Sequence, residues 1–299
     1  MTRTKNPALE PVVVILIAAF SVQGGAAIAK GIFPLIGVAG TAAIRIVLSA
    51  IILLAVFRPP VHRLTAAQWR AVLPYGITIG VMNLLFYQAL ARIPLGLAVA
   101  LEFVGPLAVA IAGSRRALDV VWVALAVAGI ALIAPFQADA AIDPVGVIFA
   151  LLTGACWAAY IVLGGRVSRR LDTGAAVTIG MMIAALTITP YAIAVGGFEK
   201  FSLHLLVPCV AMAVLSSALP YALEMKALRL LPGRTFSILM SLEPAIAALC
   251  GLALLGEHLT RAQWAAVALV VVASAGAAST VASRADRSAA TGPSSGHRS

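Results

Sequence analysis

The sequence predicts an all-α polytopic membrane protein, with ten transmembrane helices in a 5+5 inverted-topology repeat and both termini cytoplasmic. Three observations predict it. The 299 residues are 62% hydrophobic and 11% charged, whereas a soluble domain carries about 25% charged residues. Lys and Arg fall on alternate sides of the apolar runs. A frame of Pro and Gly recurs at a shift of 138 residues.

Ten runs approach the ~20 residues that cross a ~30 Å hydrocarbon core. The first five are Pro11–Ala29, Gly37–Phe57, Ala71–Ala91, Leu95–Gly113 and Val120–Phe136. The second five are Pro144–Gly164, Ala175–Val195, Leu205–Leu223, Phe236–Leu255 and Trp264–Val281. The organisation that follows is a cytoplasmic N-terminus over 1–10, one repeat over 11–136 and a second over 144–281. The stretch 282–299, built of Ser, Ala, Gly and Arg, reads as a disordered cytoplasmic tail. The first run continues into apolar sequence with no small-x-small exit, so it is expected to be retained.

Charge sets the orientation. With the N-terminus inside, sixteen of the 21 Lys and Arg residues lie in inside segments. Lys30, Arg92, Lys200 and Arg261 lie outside, and Arg45 falls within a span. Such a bias marks cytoplasmic loops. It also accounts for the net charge of +10 without nucleic acid, since there is no basic stripe interleaved with aromatics.

The repeat matches Ala89, Leu90, Pro94, Pro106, Ala110 and Gly113 to Ala227, Leu228, Pro232, Pro244, Ala248 and Gly251. Five spans per half is an odd number. The second half therefore starts on the opposite side of the membrane, as in many secondary transporters.

Several chemistries are excluded. Cys156, Cys209 and Cys250 lie in apolar runs without close spacing, which predicts free thiols, no disulfide framework and no metal. His62, His204, His258 and His297 sit in loops or tails. No Gly-rich phosphate motif is present, so energy must come from a gradient and not from an ATP-hydrolysing domain. The absence of HExxH and GxSxG weighs against an intramembrane enzyme, and no cofactor is indicated.

Several stretches carry a family resemblance. They are SVQGGAAIAK at 21–30, YGITIGVMNLLFY at 75–87, PLGLAVALEFVGPLAVA at 94–110 and SRRALDVVWV at 114–123. Others are GACWAAYI at 154–161, SSALPYALEMKAL at 216–228, RTFSILMSLEPAIAA at 234–248 and the more generic LGEHLT at 255–260. Over roughly residues 11–280 the chain resembles the drug/metabolite transporter superfamily, EamA type. Within it, the chain is most similar to the bacterial inner-membrane exporters of threonine and homoserine. The resemblance implies a ten-helix exporter of small amino acids, driven by protons and working by alternating access. Its partners would be the amino acid, protons and the lipid bilayer. Another metabolite or a drug as cargo, or a passive channel, stays open on the residues alone, as does the oligomeric state.

Few polar groups lie within the spans, and each is a candidate. Glu102 and Glu243 head them, because a carboxylate near hydrocarbon costs roughly 2.5–3.5 kcal/mol on insertion scales. Each could bind a proton or a substrate ammonium, or could bond backbone loosened by Pro106 or Pro244. Arg45 could hold a substrate carboxylate in paired hydrogen bonds or a structural ion pair. Gln23 precedes Gly24–Gly25 on the first helix. Asn83 and Tyr87 share a face of the third helix. Trp157 and Tyr160 lie mid-span on the sixth, as a cavity wall. Ser216, Ser217, Pro220, Tyr221 and Glu224 form the polar side of the eighth. Pro106, Pro244, Gly113 and Gly251 are the candidate hinges. Lys30 is expected to snorkel at the outer end of the first helix.

Overall fold

Backbone within hydrocarbon must satisfy its own hydrogen bonds, and helices do so within one segment. The computed structural model describes residues 9–112, 117–133, 142–199, 201–220, 223 and 239–290. All the elements among them are helical. Four of these helices are long and apolar enough to cross a membrane.

Helix α1 covers Leu9–Phe57 as two arms around Gly37. Gly37 has φ 73° and ψ 164°, a conformation that glycine alone adopts without strain. The arms match the first two expected spans. The residues between them, 30–36, are helical and do not form the expected loop, so the chain turns only at Gly37. Helix α2, Ala66–Leu90, starts at a capping box. There the Gln68 amide nitrogen donates to Thr65 Oγ1 at 3.3 Å and Thr65 N donates to Gln68 Oε1 at 2.8 Å. Two orphan donors of the first turn are thereby satisfied.

The fourth expected span is in two pieces, α3 (Leu95–Glu102) and α4 (Val104–Ala112). Pro106 has no N–H to offer the carbonyl of Glu102, so the break falls one turn before the proline. Helix α5 is Ala117–Ile133. Helix α6, Pro144–Val167, is capped by Asp143, and α7, Thr173–Ala194, by Asp172. Helix α8, Leu206–Ala213, continues into a π turn at Val214–Ala218. Helix α9 covers Glu243–Leu255 and ends at Gly256 in the left-handed conformation. Helix α10 runs from Arg261 to Ala290, so residues 282–290 of the expected disordered tail are helical. That stretch holds no Pro or Gly and is rich in Ala, the best helix former.

The two halves of the chain interleave. Helix α2 packs on α6 and α7, α1 on α7, α8 and α9, α3 on α9, and α5 on α10. One buried cluster joins the second arm of α1 with α2 and α7. Another joins the first arm of α1 with α3, α9 and α10. Small residues permit these crossings, as in membrane bundles generally. At the α4–α6 crossing, a methyl on Gly105 would sit 1.8 Å from the Gly154 carbonyl oxygen. Large apolar side chains face outward, with Leu186 75% and Val207 77% exposed, as lipid contact requires.

Helix ends sort onto two faces. Lys30, Ile93, Leu95 and Glu257 are joined by hydrogen bonds, and Arg92 pairs with Asp143 at 3.7 Å. On the opposite face the Gln68 amide donates to the Arg170 carbonyl at 3.0 Å, and Phe57 meets Gly174.

Candidate functional site

The charged residues expected inside the spans converge. Arg45, half-buried on the second arm of α1, donates through Nη2 to Asn83 Oδ1 on α2. Its guanidinium carbon lies 5.1 Å from the centroid of the Tyr87 ring, a cation–π contact. Asn83 and Tyr87 are one turn apart, so a single face of α2 makes both contacts. Asn83 gives its own N–H to the Ile79 carbonyl at 2.8 Å, which leaves its oxygen aimed at Arg45. Tyr87 is 1% exposed. Its hydroxyl donates to Met212 Sδ on α8 at 3.8 Å, and its ring lies 5.4 Å from that of Phe33. Arg45 Nε is buried without a hydrogen-bond partner among the described residues. A guanidinium has five N–H donors in a planar fork, so this one retains donors for a bound anion.

Glu102 lies within electrostatic reach of both Glu243 and Arg45. The two carboxylates occupy helix ends: Glu102 closes α3 and Glu243 opens α9. These helices cross at Gly96 and Ala248, where a methyl on the glycine would sit 2.5 Å from the alanine Cβ. Glu243 is 7% exposed and lies in the first turn of its helix, where the backbone dipole favours negative charge. Pro244 follows it at the start of α9, a position where the missing N–H removes no helical bond. The proline therefore begins a helix and does not kink one. Breaks in discontinuous helices are where many membrane transporters build their substrate and ion sites at mid-depth.

The remaining candidates divide. Trp157 packs edge-on against Phe103, with ring centroids 4.9 Å apart at 83°, which seats it beside Glu102. Tyr160 instead stacks on Tyr75 at 5.1 Å, at the edge of the α1–α2–α7 core. Gln23 is 3% exposed and its Oε1 has no partner among the described residues. It is four residues from both Ala19 and Ala27, which pack in the α3–α9 cluster, so it faces that crossing. Tyr221, Glu224 and Gly113 lie outside the described residues. Gly251 has a spatial reason that differs from a hinge: a methyl there would sit 2.6 Å from Glu257 Oε2. Among the described residues no group of His, Cys, Asp and Glu could hold a metal.

Residues 144–278 match the EamA-like transporter family. Over 278 residues the chain is 46% identical to the threonine/homoserine exporter RhtA of Escherichia coli (strain K12), spanning 93% of this chain and 94% of that one. The chain belongs to the EamA-like transporter family. RhtA of Salmonella typhimurium (strain LT2) is 45% identical over the same shares. A solved crystal structure is similar with a TM-score of 0.56 at 18% identity, covering 93% of this chain and 99% of that one. That likeness concerns the fold alone.

Two charges that sequence reasoning set aside have a definite place in this EamA-like transporter. Lys30 Nζ pairs with Glu257 Oε1 at 2.5 Å and donates to the Ile93 carbonyl at 3.0 Å. Glu257 Oε2 accepts from Leu95 N at 2.8 Å, an orphan donor at the start of α3. Lys30 therefore does not snorkel freely. The available signal was that both charges fall on the same expected side of the membrane. Ser49 was missed altogether; it donates to Ser217 Oγ at 2.8 Å.

Proposed function

We propose that this EamA-like transporter is a secondary active exporter of small amino acids such as threonine and homoserine. It is coupled to protons and works by alternating access in the bacterial inner membrane. The substrate class follows the relatives named as threonine/homoserine exporters, 46% identical over most of the chain. One feature of this chain carries the reading: inside an apolar bundle, Glu102 lies within electrostatic reach of both Arg45 and Glu243. An amino acid presents one carboxylate and one ammonium, and this trio offers a partner of each sign. A second carboxylate can then take the proton that exchanges for substrate.

The same reading takes the two arms of α1 as two spans and α3 with α4 as one. That gives ten spans, in repeats over 11–136 and 144–281, with both termini cytoplasmic. The hydrogen bonds that tie Lys30, Ile93, Leu95 and Glu257 at one face support the alternation.

The test is export of labelled threonine and homoserine by cells with and without the protein, at two external pH values. Exchange of external protons for internal substrate makes efflux faster at the lower external pH. Glu243→Gln should abolish the pH-driven component. Wild-type rates of export from that variant at every pH would remove Glu243 from the coupling.

A further inference from the structure

Below the Arg45 cluster lies a second polar constellation, centred on the π turn of α8. A π turn widens a helix and loosens its backbone bonds, and such turns are frequent at functional sites. Here Ser21 Oγ on α1 donates to the Leu215 carbonyl at 2.7 Å, capturing an acceptor within the turn. Ser217 Oγ accepts from Ser49 Oγ across the interface. Ser216 Oγ is buried and has no hydrogen-bond partner among the described residues. Opposite it lies Gly25, where a methyl would sit 2.2 Å from that oxygen, so the wall of α1 is cut back to backbone at this point. The two serines line a cavity of about 180 Å³ with Val22, Leu53 and Met181. Its chemistry is a pair of hydroxyls in an otherwise apolar wall.

We propose that the π turn of α8, with Ser216 and Ser217 faced by Ser49, is the subsite that takes the side-chain hydroxyl of a hydroxylated amino acid. The proposal rests on the exporter reading above and deepens it. A serine hydroxyl both donates and accepts, so it can meet a substrate O–H in either sense. The apolar wall takes the short carbon chain. The register relative to Arg45 fits: Ser49 is four residues further along the same face of α1, a rise of about 6 Å. One helical turn is of the order of a four-carbon amino acid's length, so that the substrate's carboxylate would sit at Arg45 and its hydroxyl at the serines. The α8 side is linked likewise, because Met212, one turn before Ser216, receives the Tyr87 hydroxyl. A site with buried polar groups discriminates against an analogue that leaves them unpaired, and that gives an exporter a means to spare unhydroxylated amino acids.

The discriminating probe is 2-aminobutyrate, which is both threonine and homoserine without the hydroxyl. The full-length protein is reconstituted in liposomes, and efflux of labelled threonine, homoserine and 2-aminobutyrate is measured. Wild type should favour the two hydroxylated solutes. Ser216→Ala and Ser217→Ala should each lower that preference about fivefold to tenfold, the worth of one neutral hydrogen bond. Flux of 2-aminobutyrate should fall less than that of either hydroxylated solute, and its persistence reports that the variants are folded. Thermal-shift titration of the same proteins gives a readout independent of turnover: threonine should protect wild type more than 2-aminobutyrate does, and the variants should lose the difference. Variants that keep the wild-type preference, or that slow all three solutes equally, overturn the subsite and leave the exporter reading intact. A wild-type protein that moves neither hydroxylated solute overturns both.

Discussion

Arg45 meets three different chemistries: an amide oxygen at Asn83, an aromatic face at Tyr87 and the field of Glu102. A planar guanidinium can serve all three while pointing a spare N–H edge into the site; a lysine ammonium can do only part of this. Arg45→Lys keeps the charge and loses the fork. Charged hydrogen bonds contribute about 1.5–3 kcal/mol, so the variant should bind amino acid about tenfold or more weakly, with little effect on folding. Concentration-dependent efflux from proteoliposomes reads this as a raised half-saturation constant; an unchanged constant rules out the paired carboxylate contact. Arg45, Glu102 and Glu243 were legible in the sequence because a charge inside an apolar run needs a physical reason. Ser49 was not legible. A serine in a helix can bond its own backbone, so nothing in the one-dimensional pattern separates that use from a contact with Ser217.

The prolines that read as hinges do not stand at the helix breaks themselves. Pro106 and Pro244 stand out in the sequence, yet the chain breaks at Phe103 and ahead of Glu243. The reason is that a proline acts on the carbonyl four residues earlier, or begins a helix where its N–H is not missed. The apolar runs were legible because hydrocarbon thickness fixes their length. Packing partners were not, since a glycine in a run does not declare which backbone it admits. Gly105 is a case in point. Gly105→Val would force a side chain into the Gly154 backbone, at a cost of about 1–3 kcal/mol for overpacking, read as a lower Tm in detergent. The Lys30–Glu257 pair ties α1, α3 and α9 together. Glu257→Gln leaves Lys30 without its counter-charge and should destabilise the protein by about 1–3 kcal/mol. Adding Lys30→Met should recover part of that loss in the same melting experiment. If the double variant melts no higher than Glu257→Gln alone, the ion pair is not what joins these helices.

In the molecule as a whole, sidedness is the claim with most riding on it, because an inverted repeat and an export direction both depend on it. Charge bias puts the loop around residues 58–65 inside and the loop around 201–204 outside. Packing is consistent with this. The segment near Gln68 joins that near Arg170 at one face, while Gly40 meets Gly197 at the other, where a methyl would sit 2.0 Å from the Gly197 oxygen. A protein with Cys156, Cys209 and Cys250 changed to alanine can carry a single cysteine at either exposed site. With a membrane-impermeant maleimide on intact cells, Ser202→Cys should label and Arg63→Cys should label only after the membrane is opened. An added cysteine after Ser299 should behave like Arg63→Cys, since an even number of spans returns the chain to the side where it began. Labelling of the C-terminal cysteine from outside would make the span count odd. The two halves could not then be five and five, and the pairing of Pro106 with Pro244 across an in-plane axis would lose its meaning. The expected pattern, by contrast, leaves Glu102 and Glu243 on oppositely oriented helices of the two halves, with Arg45 in electrostatic reach of Glu102, where rocking can expose them to either side in turn.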